Sequence, residues 1–117
     1  MSMYITYSRI NRFIEKGVDD YLRFENEKFV TQGVNSSVSL LLQCFMWICI
    51  SDMKGPKDYL QIFNCSEFEG KQKIEHIQEV PEYKMEYLIL TDTPVFIGKI
   101  FVIDDETHST MLLSQEY

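Results

Sequence analysis

Apolar residues recur at three- and four-residue steps through the first quarter of the chain: Tyr7, Ile10, Ile14, Val18, Tyr21 and Leu22. Arg9, Arg12, Glu15, Lys16, Asp19, Asp20 and Arg23 take the remaining positions. This spacing predicts an amphipathic helix over about Met3 to Phe24, because positions three and four apart share one helical face. Gly17 weakens it by ~1 kcal/mol relative to Ala. Lys28 to Val34 (KFVTQGV) is β-branched enough for a short strand. Asn35, Ser36 and Ser37 then offer side-chain oxygens to the unpaired N–H groups of a following helix. From Val38 to Ile50 nearly every residue is apolar. A helix apolar all round is buried on most sides, so this segment is the expected core helix. It should stop near Ser51-Asp52, before the turn Met53-Lys54-Gly55-Pro56.

The second half reads as strands. Asp58 to Cys65 is aromatic and β-branched, Glu67-Phe68-Glu69-Gly70 has turn composition, and Lys73 to Val80 completes a hairpin. Tyr87 to Thr91 and Val95 to Ile103 follow, separated by Thr91-Asp92-Thr93-Pro94. The last run is apolar at both odd and even positions, which suggests a central strand covered on both sides. Segregated helices and hairpin-linked strands give an α+β class, with a small antiparallel or mixed sheet packed on one buried helix. The expected organisation is a single domain over residues 1–117, with residues 1–27 as an N-terminal helical extension.

At 117 residues with 45% hydrophobic content, the chain can bury one core and is not a disordered tail. Its formal net charge of -7 argues against a general nucleic-acid binder, which needs a surplus of Lys and Arg to meet phosphates. The charge is lopsided. Residues 1–58 hold seven acidic and seven basic side chains, whereas residues 59–117 hold eleven acidic and four basic, so the sheet half carries all of it. Such asymmetry bears on partners rather than on fold. Cys44, Cys49 and Cys65 are odd in number and form no C-x-x-C, which favours reduced thiols and a cytoplasmic protein. No signal-peptide pattern opens the chain, and Val38–Ile50 is too short to span a bilayer. No membrane partner is expected.

Candidate chemistry centres on two stretches. Asp104-Asp105-Glu106-Thr107-His108 follows the most apolar strand, and its oxygens and imidazole are donors suited to a divalent metal that could activate water. The competing interpretation is a charged turn that closes a strand through local side-chain-to-backbone bonds. His76, Glu79 and Glu82 form the second, although strand alternation puts His76 and Glu79 on opposite faces. Cys65 with His76 would be a thiol–imidazole pair, but nothing nearby supplies the positive environment that lowers a thiol pKa. The glycines are too dispersed for a dinucleotide or phosphate loop, and no cofactor is expected. Glu67, Glu69, Glu75, Glu79, Glu82, Glu86, Asp92, Asp104, Asp105 and Glu106 could instead form an acidic surface that imitates a phosphate backbone.

Several motifs occur in a recognisable order: KFVTQGV, then Leu42-Gln43-x-Phe45-x-Trp47, then Asp58-Tyr59-Leu60-Gln61-x-Phe63. His76-x-Gln78-Glu79-x-Pro81-Glu82-Tyr83, Lys99 to Asp105, His108 to Leu113 and the final Glu116-Tyr117 follow. Over about residues 28–117 the chain resembles the bacterial domain-of-unknown-function family 960. The resemblance implies a setting in Gram-positive bacteria, their phages and mobile elements, and it transfers no catalytic role. The leading expectation is a small acidic, non-enzymatic interaction protein of a phage or mobile genetic element. It would bind, and inhibit, a bacterial nucleic-acid-processing or defence protein as a DNA mimic or anti-CRISPR factor does. A protein partner is expected rather than nucleic acid, and a homo-oligomer is compatible. The alternative is a small metal-dependent hydrolase or nuclease built from His76, Asp104, Asp105, Glu106 and His108.

Overall fold

Burial that alternates with period two runs through the second half of the chain and builds one mixed sheet. The computed structural model describes residues 22–117 and the backbone of residues 3–7. The strands are β1 (Met3–Tyr7), β2 (Glu27–Thr31), β3 (Leu60–Phe68), β4 (Lys71–Gln78), β5 (Tyr83–Ile89), β6 (Gly98–Asp104) and β7 (His108–Leu113). The helices are α1 (Gln32–Ser37) and α2 (Leu40–Ser51), and a 3-10 turn covers Ser114–Glu116. The strand order is β1-β2-β7-β6-β3-β4-β5. β2 and β7 run parallel, and every other neighbouring pair is antiparallel. The class is therefore α+β.

One face of the sheet carries Phe63, Cys65, Ile74, Ile100, Val102 and Met111, all buried. These join Val34 of α1 and Leu42, Met46, Trp47, Cys49 and Ile50 of α2 in one core cluster. Phe45 meets the Tyr87 ring edge-on at 5.1 Å between centroids, and the Lys28 ammonium lies 5.8 Å over the Trp47 ring. The opposite face holds half-buried Ile62, Ile77, Phe101 and Ile103 among Lys73, Glu75, Lys84 and Glu86. β6 has the central position its apolar run predicts, but its two faces differ: Ile100 and Val102 are buried, Phe101 and Ile103 only half so.

Several expectations need correction. Met3–Tyr7, read as the opening of a helix, is a strand antiparallel to β2. Its aromatic and β-branched residues favour that state over the helical period spread across a longer window. Residues 8–21 of that predicted helix lie outside the described residues. The predicted strand Lys28–Val34 ends at Thr31, whose hydroxyl accepts from Val34 N and starts α1. Among the described residues two helices accompany the sheet, and the short α1 has no counterpart among the expected elements. α2 is capped by Ser39, whose Oγ accepts from Leu42 N at 3.2 Å. α2 is not buried on most sides, for Leu40, Leu41 and Ile48 are exposed. β7 has no counterpart among the strands read from periodicity.

The two ends of the family-like core meet. Glu116 Oε1 accepts from Leu113 N at 2.8 Å and from Thr31 Oγ1 at 2.7 Å. A Cβ at Gly33 would collide with that same carboxylate, so a larger residue in its place would push the Glu116 side chain away from these two bonds.

Candidate functional site

The turn after β6 is tied inward. Asp104 continues the alternation of Ile100 and Val102 and so lands on the buried face, 2% exposed. Its Oδ2 accepts from Phe24 N at 2.8 Å, and its Oδ1 accepts from Asn26 Nδ2 at 2.9 Å and Glu106 N at 2.8 Å. Arg23 Nη1 stands 3.5 Å from Oδ2, and Ser109 Oγ donates to Asn26 Oδ1 at 2.6 Å. Phe24 and Glu106 both have left-handed backbones (φ 66° and 81°), and Asp104 holds the N–H of each. Asp105 closes the turn by accepting from Thr107 N, Thr107 Oγ1 and His108 N at 2.8–3.0 Å. Desolvation opposes those bonds, which nonetheless hold its carboxyl below the ordinary range. Glu106 is exposed, and His108 packs edge-on against Phe29.

His76 is fully buried on β4, stacked on Phe63 at 4.3 Å and met edge-on by Tyr83. Its Nε2 bonds Gln61 Oε1 at 2.7 Å, which assigns the proton to Nε2 and leaves Nδ1 with no hydrogen-bond partner. Gln61 Nε2 donates on to Gln78 Oε1, and Gln78 Nε2 to Pro81 O. Burial pushes the imidazole pKa down to about 4, so His76 is a neutral part of a buried amide chain. Glu79 and Glu82 are exposed in the turn between β4 and β5. Cys65 opposes Ile74 rather than His76, and burial pushes its thiol up to about 12.

These residues do not converge. His76 is level with Phe63, and Phe63 with Ile100, while Asp104 lies four residues further along β6. That offset is about 13 Å along the strands and about 10 Å across them. His76 and His108 also occupy opposite faces, since Ser109, not His108, opposes Asp104. Among the described residues no three His, Cys, Asp or Glu side chains gather as a metal-binding group. The ten carboxylates proposed as one acidic surface are likewise divided. Asp104 is internal, Glu79, Glu82, Asp105 and Glu106 sit at one end of the sheet, and Glu67, Glu69 and Asp92 belong to the other.

What the structure does assemble is an apolar groove beside an open sheet edge. Leu41 and Phe45 of α2 face Ile89 and Thr91 across a cavity of about 130 Å³, floored by Leu42 and Gln72. Both polar atoms of the Gln72 amide are taken: Nε2 donates to Ser66 O, Lys73 O and Phe96 O, and Oε1 accepts from Phe96 N. The groove is therefore chemically apolar. Leu41 is 62% exposed and Ile48, two turns along the same helix, 54%. Among the described residues β5 is paired only with β4, in an unbroken register from Gln72↔Ile89 to Gln78↔Tyr83. Met85, Leu88 and Leu90 are exposed along it. The opposite edge, β1, is shorter and carries a register shift between Met3 and Ile5. Sequence reading missed the β5 edge, although the alternation Tyr83, Met85, Tyr87, Ile89 was the signal for it.

The model of a family described as "Staphylococcal protein of unknown function (DUF960)" matches residues 27–116. No curated protein matches the chain. A crystal structure of a protein of unknown function from Enterococcus faecalis is similar at a TM-score of 0.70 and 23% identity, covering 91% of this chain and 98% of that one. That likeness concerns the fold. Among the described residues no helix is long and apolar enough to cross a membrane.

Proposed function

We propose a function from one premise, that the chain belongs to the DUF960 family of Staphylococcal proteins of unknown function: it is a non-enzymatic interaction protein that receives a protein partner along β5. The observation that carries this reading is the bulge-free edge of β5, unpaired among the described residues, lying beside the apolar groove at Leu41, Phe45 and Ile89. Proteins ordinarily blunt an open sheet edge with bulges, prolines, short strands or charged side chains, and of these β5 carries only the charges, Lys84 and Glu86. β1 is short and bulged, whereas β5 is neither, so β5 is suited to accept an added strand. Backbone bonds would give such a complex its affinity, and apolar side chains entering the groove its selectivity.

The separation of the predicted His and carboxylate residues gives the metal-hydrolase reading no geometric support. The division of the acidic residues between two ends likewise favours apolar docking over imitation of a phosphate backbone. The test is capture from a staphylococcal lysate by the full chain and by Leu41→Asp. A partner held by apolar and backbone contacts stays bound as salt rises from about 0.1 to about 1 M, where exposed charges more than ~3 Å apart are screened. The same partner should be absent from the Leu41→Asp eluate. A partner lost in salt and indifferent to Leu41→Asp would assign recognition to the acidic ends and contradict docking at β5.

A further inference from the structure

We infer that the occupant of the β5 edge is a second copy of this chain, its own β5 antiparallel to the first about a two-fold axis at Met85. The inference rests on the strand-docking reading above and names the partner. In an antiparallel pair centred on Met85, Met85 opposes Met85 of the partner subunit, and Tyr83 opposes the partner's Tyr87. Lys84 opposes the partner's Glu86, and symmetry repeats that pair. Opposite charges directly across two strands stabilise them, whereas like charges there destabilise. Moving the axis to Glu86 sets two glutamates against each other, and moving it to Lys84 sets two lysines against each other. Odd registers bring a helix-side residue opposite an outer-face one and break the alternation of the sheet. Of the registers centred within Lys84–Glu86, only the one at Met85 is complementary.

The single chain supplies a second reason. Glu86 already opposes Glu75 across β4 and β5, a like-charged pair. Lys84 serves both, at 3.5 Å from Glu75 and 3.7 Å from Glu86, on an exposed surface. The partner's Lys84 would arrive on the free side of Glu86 and give each glutamate its own cation. On the other face the exposed Met85 (45%) would meet its equivalent beside the tyrosines.

Sedimentation equilibrium of the full chain tests this. Wild type should be dimeric, and Lys84→Glu or Glu86→Lys alone should weaken the dimer by about tenfold or more, because symmetry counts each unfavourable pair twice. An equimolar mixture of the two variants should restore dimerisation. One chain of the mixed dimer is then acidic at both positions and the other basic at both, so every facing pair is opposite in charge. That rescue also guards against a variant that merely folds poorly. A wild type still monomeric at about 100 µM overturns the second copy as partner and leaves strand docking to be decided by the Leu41→Asp capture. A dimer indifferent to both substitutions, or a mixture that stays monomeric, overturns the Met85 register.

Discussion

Asp104 joins the segment before β2 to the end of β6 and to the following turn, through the N–H groups of Phe24 and Glu106 and the Asn26 amide. Replacing it with Ala leaves those donors buried without an acceptor, at a cost on the order of 3 kcal/mol. Urea unfolding of Asp104→Ala at pH 7 should show that loss, and an unchanged midpoint would contradict the structural role. His76 makes a separate prediction about pH. Its folded pKa of about 4 lies below the ordinary value of 6.5, so between those pH values the unfolded chain binds a proton that the folded chain refuses. Stability is therefore unaffected above about pH 6.5, falls as pH drops toward 4, and levels off below. The total is on the order of 3 kcal/mol. His76→Gln should remove the slope in that window, whatever its effect at pH 7. The turn Glu69-Gly70 has φ positive at both residues (51° and 78°) between the paired Phe68 and Lys71, the geometry of a type I′ hairpin. Asn tolerates that conformation better than Glu, so Glu69→Asn should raise stability by about 0.5 kcal/mol, measurable as a higher melting temperature.

At the scale of elements, α2 shows how far pattern alone reaches. Its location was legible because a long apolar run between Asn35-Ser36-Ser37 and Ser51-Asp52 has few other readings, although the capping residue is Ser39. Its orientation was not, because a run apolar on every side contains no period to say which side is covered. Leu40→Lys and Ile48→Lys should each change stability by no more than about 0.5 kcal/mol, while Met46→Ala should cost about 3 kcal/mol. Equal costs at all three positions would mean that the helix is buried all round. α1 was invisible for a different reason: six residues that include Gly33, Asn35, Ser36 and Ser37 combine poor helix formers with too little length for a period. The Glu67–Gly70 turn was found because Glu-Gly between alternating strands is a local signal, whereas β7, though it forms a hairpin with β6, buries the polar Ser109 and sets Leu112 on the half-buried side, which blurs its alternation. The turn at Asp104–His108 was legible as a turn. That Asp104 points inward also follows from the alternation of β6, once the strand is extended by a single residue past Ile103.

For the whole molecule, the charge arithmetic located an acid excess in the right half of the chain but not on one surface. Successive turns of antiparallel strands fall at alternate ends of a sheet, so acids adjacent in sequence separate in space by a strand length, about 25 Å for eight residues. The surface that the fold does concentrate is the β5 edge with its apolar groove, and among the described residues the two edge strands differ in length and regularity, which is the basis of the proposed docking at β5. Pairing β5 with a second β5 would extend the sheet across two chains and bring the two α2 helices to the same side.

The most direct measurement is disulfide trapping of that pair. In a Cys44→Ser background, which removes a half-exposed native thiol, Met85→Cys should form a covalent dimer under mild oxidation. Residues directly opposite in antiparallel strands have Cα atoms about 4.5–5.5 Å apart, within the span a disulfide bridges. Lys84→Cys, displaced by two residues from its symmetry mate, should not link. Quantitative linkage at position 85 with none at position 84 is the predicted result, and no linkage at 85, or equal linkage at both, would contradict the account.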